Sequence, residues 1–233
     1  MINKQILQRL STFAALTLSF AATADPIIEV LPGGGNNPGT LGGYAMTNFS
    51  APSTPTNGCY LGKGVTSVAS PISGEVKFQN KDGSSLCMTV KDPDWWEFDE
   101  HPNVYTTHVN WAELILPENT RAFSLFIGGS MPGSGWIEGV DNQGKATRNY
   151  FGGTNQPAFG GGKSPGFGVY SPDSCSTISK IIIDPFEWGT GQFAINQDPC
   201  VSVPEPAPIG LLGLGLLGLA FSRKIQQRKL ARQ

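Results

Sequence analysis

The chain is expected to fold as an all-β protein, a β-sandwich of jelly-roll type, on three observations. Apolar and polar residues alternate over short segments of roughly four to eight residues, the period of a half-buried strand. Thirty glycines and 18 prolines punctuate those segments, which suits turns between many strands. Outside its two ends, the chain has no stretch of about ten residues with a helical apolar period. Many short strands with Gly- and Pro-rich turns are what a sandwich requires.

In chain order, residues 1–24 read as an export signal. Lys4 and Arg9 make a positive start, Leu10 to Phe20 make a mostly apolar core, and Ala22-Thr23-Ala24 is a small-x-small cleavage site before Asp25. No Cys follows that site and there is no twin-Arg pair, so the general secretory translocon and signal peptidase are the implied partners.

Residues 25–202 form the exported domain. Pro26 to Leu31 (PIIEVL) is a short strand, and the Gly-, Pro- and Asn-rich stretch from there to Pro55 reads as loop. Val76 and Phe78 alternate with Glu75, Lys77 and Gln79; Leu86, Met88 and Val90 alternate with Cys87, Thr89 and Lys91. The NKDGSS between them carries Asp82-Gly83, so a hairpin is expected. Val104 to Leu116, interrupted near Asn110, supplies two strands. Arg121 to Gly128 puts Phe123, Leu125 and Ile127 on one face and Phe126 on the other. Trp136–Asp141, Gly166–Tyr170, Ile178–Ile183 and Gln192–Asn196 complete the set, with a turn at Asp141-Asn142-Gln143-Gly144.

Charge excludes one class of partner. The two ends hold seven of the 16 basic residues, leaving nine against all 18 acidic ones between Asp25 and Glu205, a net charge of −9. Such a surface repels nucleic acid, and anionic polysaccharide too unless divalent cations bridge the two. Four cysteines in the exported part, Cys59, Cys87, Cys175 and Cys200, read as two disulfides in an oxidising compartment. Three pairings are open. Cys59 with Cys87 and Cys175 with Cys200 are favoured, since each closes a loop of about 25 residues and contributes roughly 3 kcal/mol through the unfolded state.

The densest run of chemical groups is Asp92 to Trp111, DPDWWEFDEHPNVYTTHVNW. Three readings compete. Trp95, Trp96, Tyr105 and Trp111 could stack on sugar rings while neighbouring acids accept hydroxyl protons. Asp92, Asp94 and Asp99 could hold Ca²⁺, a hard cation that takes oxygens. Or the tryptophans pack under a loop and the acids form a solvated rim. No other cofactor is indicated: His101 and His108 stand seven apart, outside familiar zinc spacings. Catalytic signatures are also lacking. Ser134 sits in Gly-Ser-Gly without the nucleophile-elbow spacing, and Gly162-Lys163-Ser164 lacks the Gly a phosphate loop needs at position 158, which is Ala. A polysaccharide hydrolase using two carboxylates stays open as an alternative, but no acidic pair is singled out.

Residues 203–233 are of a different kind. Pro204-Glu205-Pro206 comes first, then the apolar run Ile209 to Phe221, then a basic stop of Arg223, Lys224, Arg228, Lys229 and Arg232. Thirteen residues rise about 20 Å as a helix, short of a core of roughly 30 Å, so the transmembrane helix is expected over about 207–222 with its ends extended by snorkelling. The cations keep their end in the cytoplasm. The prolines stop the helix from propagating backward and hold the tripeptide extended, the form a transpeptidase cleft accepts.

This order resembles the PEP-CTERM sorting signal. The layout of GWIEGVDNQGK, GFGVY and GQFAINQ is also similar to the sandwich ectodomains of proteins that carry that signal. The resemblance implies an exosortase as partner and a membrane-anchored intermediate. It further implies a final place at the cell surface or in the extracellular matrix of a Gram-negative bacterium, associated with exopolysaccharide in a biofilm; with no catalytic signature in the chain, the expected role there is non-catalytic. A dedicated carbohydrate-binding module is the alternative at the same location.

Overall fold

The computed structural model describes residues 24–32, 36–54, 56, 58–59, 64–91, 103–129, 134–152, 164–173, 175–184 and 188–199. Within them the chain is all-β. Its strands are β1 Ile27–Leu31, β2 Thr40–Leu41, β3 Tyr44–Ala45, β4 Thr47–Phe49, β5 Ser67–Ala69, β6 Glu75–Gln79, β7 Thr89–Lys91, β8 Val104–Thr107, β9 Ala112–Ile115, β10 Thr120–Gly129, β11 Gly135–Asp141, β12 Ala146–Phe151, β13 Gly166–Tyr170, β14 Ile178–Asp184 and β15 Trp188–Gln197.

Two sheets, antiparallel throughout, carry the fold. The first runs β1-β13-β10-β15-β8-β7, with β4 also on β15; the second runs β12-β11-β14-β9-β6-β5. One apolar cluster fills the space between them. It takes Tyr105, Phe123, Leu125, Ile127, Phe167, Val169, Phe193 and Ile195 from the first sheet, and Val76, Phe78, Leu114, Ile137, Ile181 and Ile183 from the second. Burial of those inward faces is the sandwich's main stabilising term.

The alternation in β10 sorts as expected. Phe123, Leu125 and Ile127 enter this core, while Ala122 and Phe126 point to the opposite face, where Leu31, Leu41 and Val104 cover them. Packing between the sheets is tight enough to require a glycine: a Cβ on Gly139 of β11 would lie 2.4 Å from Cγ1 of Val169 on β13.

The expected hairpin after β6 forms, then departs from its simple version. Gly83 N–H donates to Asn80 O at 2.9 Å, Asn80 N–H to Ser84 O at 2.8 Å, and Gly83 takes φ +80°, the left-handed residue that ends a three-residue hairpin loop. The second arm stays with β6 only through the Gln79–Ser85 bridge and Leu86 N–H to Phe78 O at 2.9 Å. It then crosses over, and β7 pairs with β8 in the other sheet. The same turn geometry recurs at Asp141–Lys145, between β11 and β12, with Gly144 at φ +82°.

β12, which joins residues not expected to form a strand, is an edge strand with one face in water. Its Ala146 to Tyr150 are polar or exposed and only Phe151 is buried, so no run of apolar residues announces it. β2, β3 and β4 likewise occupy the stretch expected to be loop. β4 is held by backbone pairing of Thr47–Phe49 to Ile195–Phe193 and by the Phe49 ring.

Two bulges shape the central β10–β15 pair. Leu125 faces both Gln192 and Phe193 across the ladder, and Gln192 adopts φ +54°, a left-handed conformation uncommon for a residue with a side chain. At the far end Arg121 is the extra residue between the Thr120–Gln197 and Ala122–Asn196 pairs. That bulge aims its buried guanidinium at two backbone carbonyls, Asp198 O and Ser176 O.

Asp173 sits beside this guanidinium. Burial opposes its ionisation, but it accepts the N–H and hydroxyl of Ser176 and the N–H of Cys175 and lies near the Arg121 charge, so its pKa falls below the ordinary carboxylate value. A depressed folded pKa stabilises above the unfolded value of about 3.9, and this stabilisation is lost as pH falls through the folded pKa. Asp173→Asn is therefore expected to be less stable than the parent near pH 7, with a smaller gap at about pH 2, below the unfolded value. Urea midpoints at the two pH values check this; a gap that stays constant removes the ionic contribution.

Candidate functional site

Cys59 and Cys87 form the expected disulfide, closing a sequence separation of 28. Cys175 is disulfide-bonded as well, and its expected partner Cys200 lies outside the described residues. Trp95, Trp96, Asp92, Asp94, Asp99 and His101 also lie outside them. So do residues 1–23 and 201–233, with Pro204, Glu205, Pro206 and the basic stop Arg223, Lys224, Arg228 and Lys229.

Tyr105 is placed differently from the expectation. The sequence expectation is a ring that stacks on sugar, but Tyr105 is 1% exposed, stacked at 5.8 Å on Phe193 and 5.2 Å from Phe78 in the inter-sheet core. Burial raises its hydroxyl pKa far above the usual value. Four consecutive residues of β8 are buried, so the alternation that would reveal its facing is absent from the sequence. Its ring offers no surface to a ligand.

Trp111 lies on the outer face of the second sheet, and the fold brings it to residues not singled out in the sequence. Across that face Tyr150 pairs with Trp136, Trp136 with Asp184, and the row below reads Arg148, Glu138, Ile182, Glu113, Gln79. The indoles of Trp111 and Trp136 meet edge to face at 5.1 Å and 79°. Lys81 Nζ stands 4.7 Å from the Trp111 ring centroid, and Arg148 Cζ stands 3.7 Å from that of Trp136.

The carboxylates tie these groups together. Trp111 Nε1–H donates to Glu113 Oε1 at 3.2 Å, and Glu113 Oε2 accepts Lys180 Nζ at 2.8 Å. Glu138 Oε2 takes both Nε and an Nη of Arg148, at 2.9 and 2.8 Å. Burial works against the Arg148 charge, but the Glu138 carboxylate and the Tyr150 hydroxyl outweigh it and raise its pKa.

Chemically this is a cation–indole–indole–cation ladder across the hairpin turn, β9, β11 and β12. Each cation–π contact at such an exposed site is worth about 0.5–1 kcal/mol. A cation already stands over each indole, so a sugar would have to displace Lys81 or Arg148 to stack there. Tyr150, 61% exposed, is the open ring of the group. Only Trp111 was legible as a candidate; Lys81, Trp136, Arg148 and Tyr150 come from three other segments, and no spacing in the sequence links them.

Among the described residues no three His, Cys, Asp or Glu side chains converge to hold a metal ion. Among the same residues no helix is long and apolar enough to cross a membrane. Comparison with curated proteins found no match, and comparison with solved structures found none either. Residues 202–224 match the family model of the PEP-CTERM protein-sorting motif, so the chain carries the sorting tail of an exosortase substrate.

Proposed function

We propose that this is a non-catalytic exported protein, cut near Pro204-Glu205-Pro206 by an exosortase and left at the cell surface or in an exopolysaccharide matrix. The observation that carries the proposal is the sorting-motif match over 202–224. Three features support it. The signal-like residues 1–24 account for export, and the apolar run followed by cations accounts for a membrane-anchored intermediate with its tail in the cytoplasm. The Cys59–Cys87 disulfide suits an oxidising destination.

For the non-catalytic part, the support is that Glu113 and Glu138, two of the carboxylates on the aromatic face, are each bonded to a cation. The jelly-roll assignment belongs to the same proposal, supported by the repeated passage of the chain from one sheet to the other between β8 and β11 and between β12 and β15.

Mass spectrometry of the protein released by cells is the test. The expected species begins at Asp25 and lacks the basic tail, and it is lost when Pro204-Glu205-Pro206 is replaced by three alanines. A released species that retains Arg223 to Gln233 would overturn the proposal.

A further inference from the structure

The two ends of the exported domain leave the fold at one pole. Ile27 of β1 pairs with Tyr170 of β13, Tyr170 with Ala122 of β10, and Ala122 with Asn196 of β15. The first and last strands of the domain therefore have Ile27 and Asn196 in a single row, three strand spacings apart, or about 14 Å. The direction of each strand makes this the exit end: β1 starts there and β15 finishes there.

Both exits are pinned at that pole. Asp25 pairs with Lys145 of the β11–β12 turn at 3.6 Å. On the other side Arg121 holds Asp198 O and Ser176 O, and Gln197 bonds Ser70, Ser73 and Glu118 O. The second sheet shares the polarity. Asn142 N–H donates to Thr177 O and Leu116 N–H to Ser179 O, which sets the turns at 117–119 and 141–145 and residues 175–177 at the same end.

The opposite pole is equally well defined. Register places Leu31, Gly166, Phe126 and Gly191 in one row of the first sheet. In the second sheet it places Trp136 and Asp184 at that end, beyond Ala112, together with the turn at 80–84. The Lys81–Trp111–Trp136–Arg148 ladder and Tyr150 therefore sit toward the pole away from the chain exits.

We infer that the pole formed by Asp25, Glu118, Asn142, Pro172 and Asp198 is the side the domain turns to the membrane while it is held for processing. The pole bearing Trp111, Trp136 and Tyr150 is the side presented outward. This rests on the proposed export and sorting route and adds to it an orientation. Two short segments impose it. Ala24 is three Cα steps from Ile27, about 10 Å when extended, and Gln197 is seven steps from Pro204, at most about 25 Å. A domain tethered by either segment, or by both, meets the bilayer and its processing enzymes with the same end.

The test uses the full chain, reconstituted in vesicles of phosphatidylcholine with a nitroxide on the headgroup. A fluorescent amino acid is introduced genetically at Glu118 or at Asp82, both exposed, leaving the cysteines untouched. About 20 Å of strand and turn separates these positions along the sandwich, so headgroup quenching at Glu118 is expected to be at least about twofold that at Asp82. In a chain begun at Asp25, so that only the C-terminal tether remains, cutting between Gln197 and Pro204 with an engineered protease site should abolish both signals. Equal quenching at the two positions, or stronger quenching at Asp82, overturns the orientation. Failure of the chain to float with the vesicles overturns the sorting proposal itself and is read separately, by sedimentation.

Discussion

Phe193→Ala is expected to lower the unfolding free energy by about 3–5 kcal/mol, the cost of emptying a closed aromatic site. Phe193 is fully buried on β15, the strand that pairs with β10, β8 and β4. Its ring lies 5.3 Å from Phe49, 5.4 Å from Phe123 and 5.8 Å from Tyr105. Those neighbours sit on three different strands, so none can fill the void without leaving its own ladder. Since a domain's whole stability is about 5–15 kcal/mol, the variant should unfold near the lower edge of what persists in solution. Urea titration of residues 25–203 measures it, and a loss below about 1.5 kcal/mol would show that the site collapses around the cavity.

Replacing Cys59 and Cys87 together by serine is expected to cost about 3 kcal/mol, from the regained freedom of an unfolded loop of that length. The disulfide joins a segment before β5 to the arm that carries the chain from one sheet to the other. It is packed so closely that a Cβ on Gly64 would lie 2.2 Å from Cys87 Sγ. Thermal melts of the parent and the double variant, each with and without reductant, provide the measurement. Reductant should lower the parent's melting temperature by more than it lowers the variant's, and what sensitivity the variant keeps belongs to the Cys175 bond. Equal melting temperatures in the absence of reductant would contradict the loop argument.

Much of the strand framework was legible because alternation is a local property. Val76 and Phe78, or Phe123, Leu125 and Ile127 against Phe126, need only a pleat to fall on opposite faces, and the sandwich uses those faces as the pattern implies. The Asp82-Gly83 turn is local in the same sense, since Gly83 supplies a left-handed φ from its own chemistry. β12 was not legible, because an edge strand with a wet face carries little apolar signal. The sheet to which residues 85–91 belong was not legible either, because both sheets offer the same backbone groups to pair with.

The candidate site divides along the same line. By itself the sequence determined the sorting tail, Pro-Glu-Pro with an apolar run and cations, and offered a signal-like stretch at the other end. Each is a contiguous stretch recognised by composition and order, so no fold is needed to read it. Only the tertiary structure decided that Tyr105 belongs to the core, that Trp111 meets Trp136 under two cations, and that Ile27 and Asn196 lie in one row. Those are contacts between residues far apart in the chain, and they follow from strand order and register, which a single strand's residue pattern does not contain.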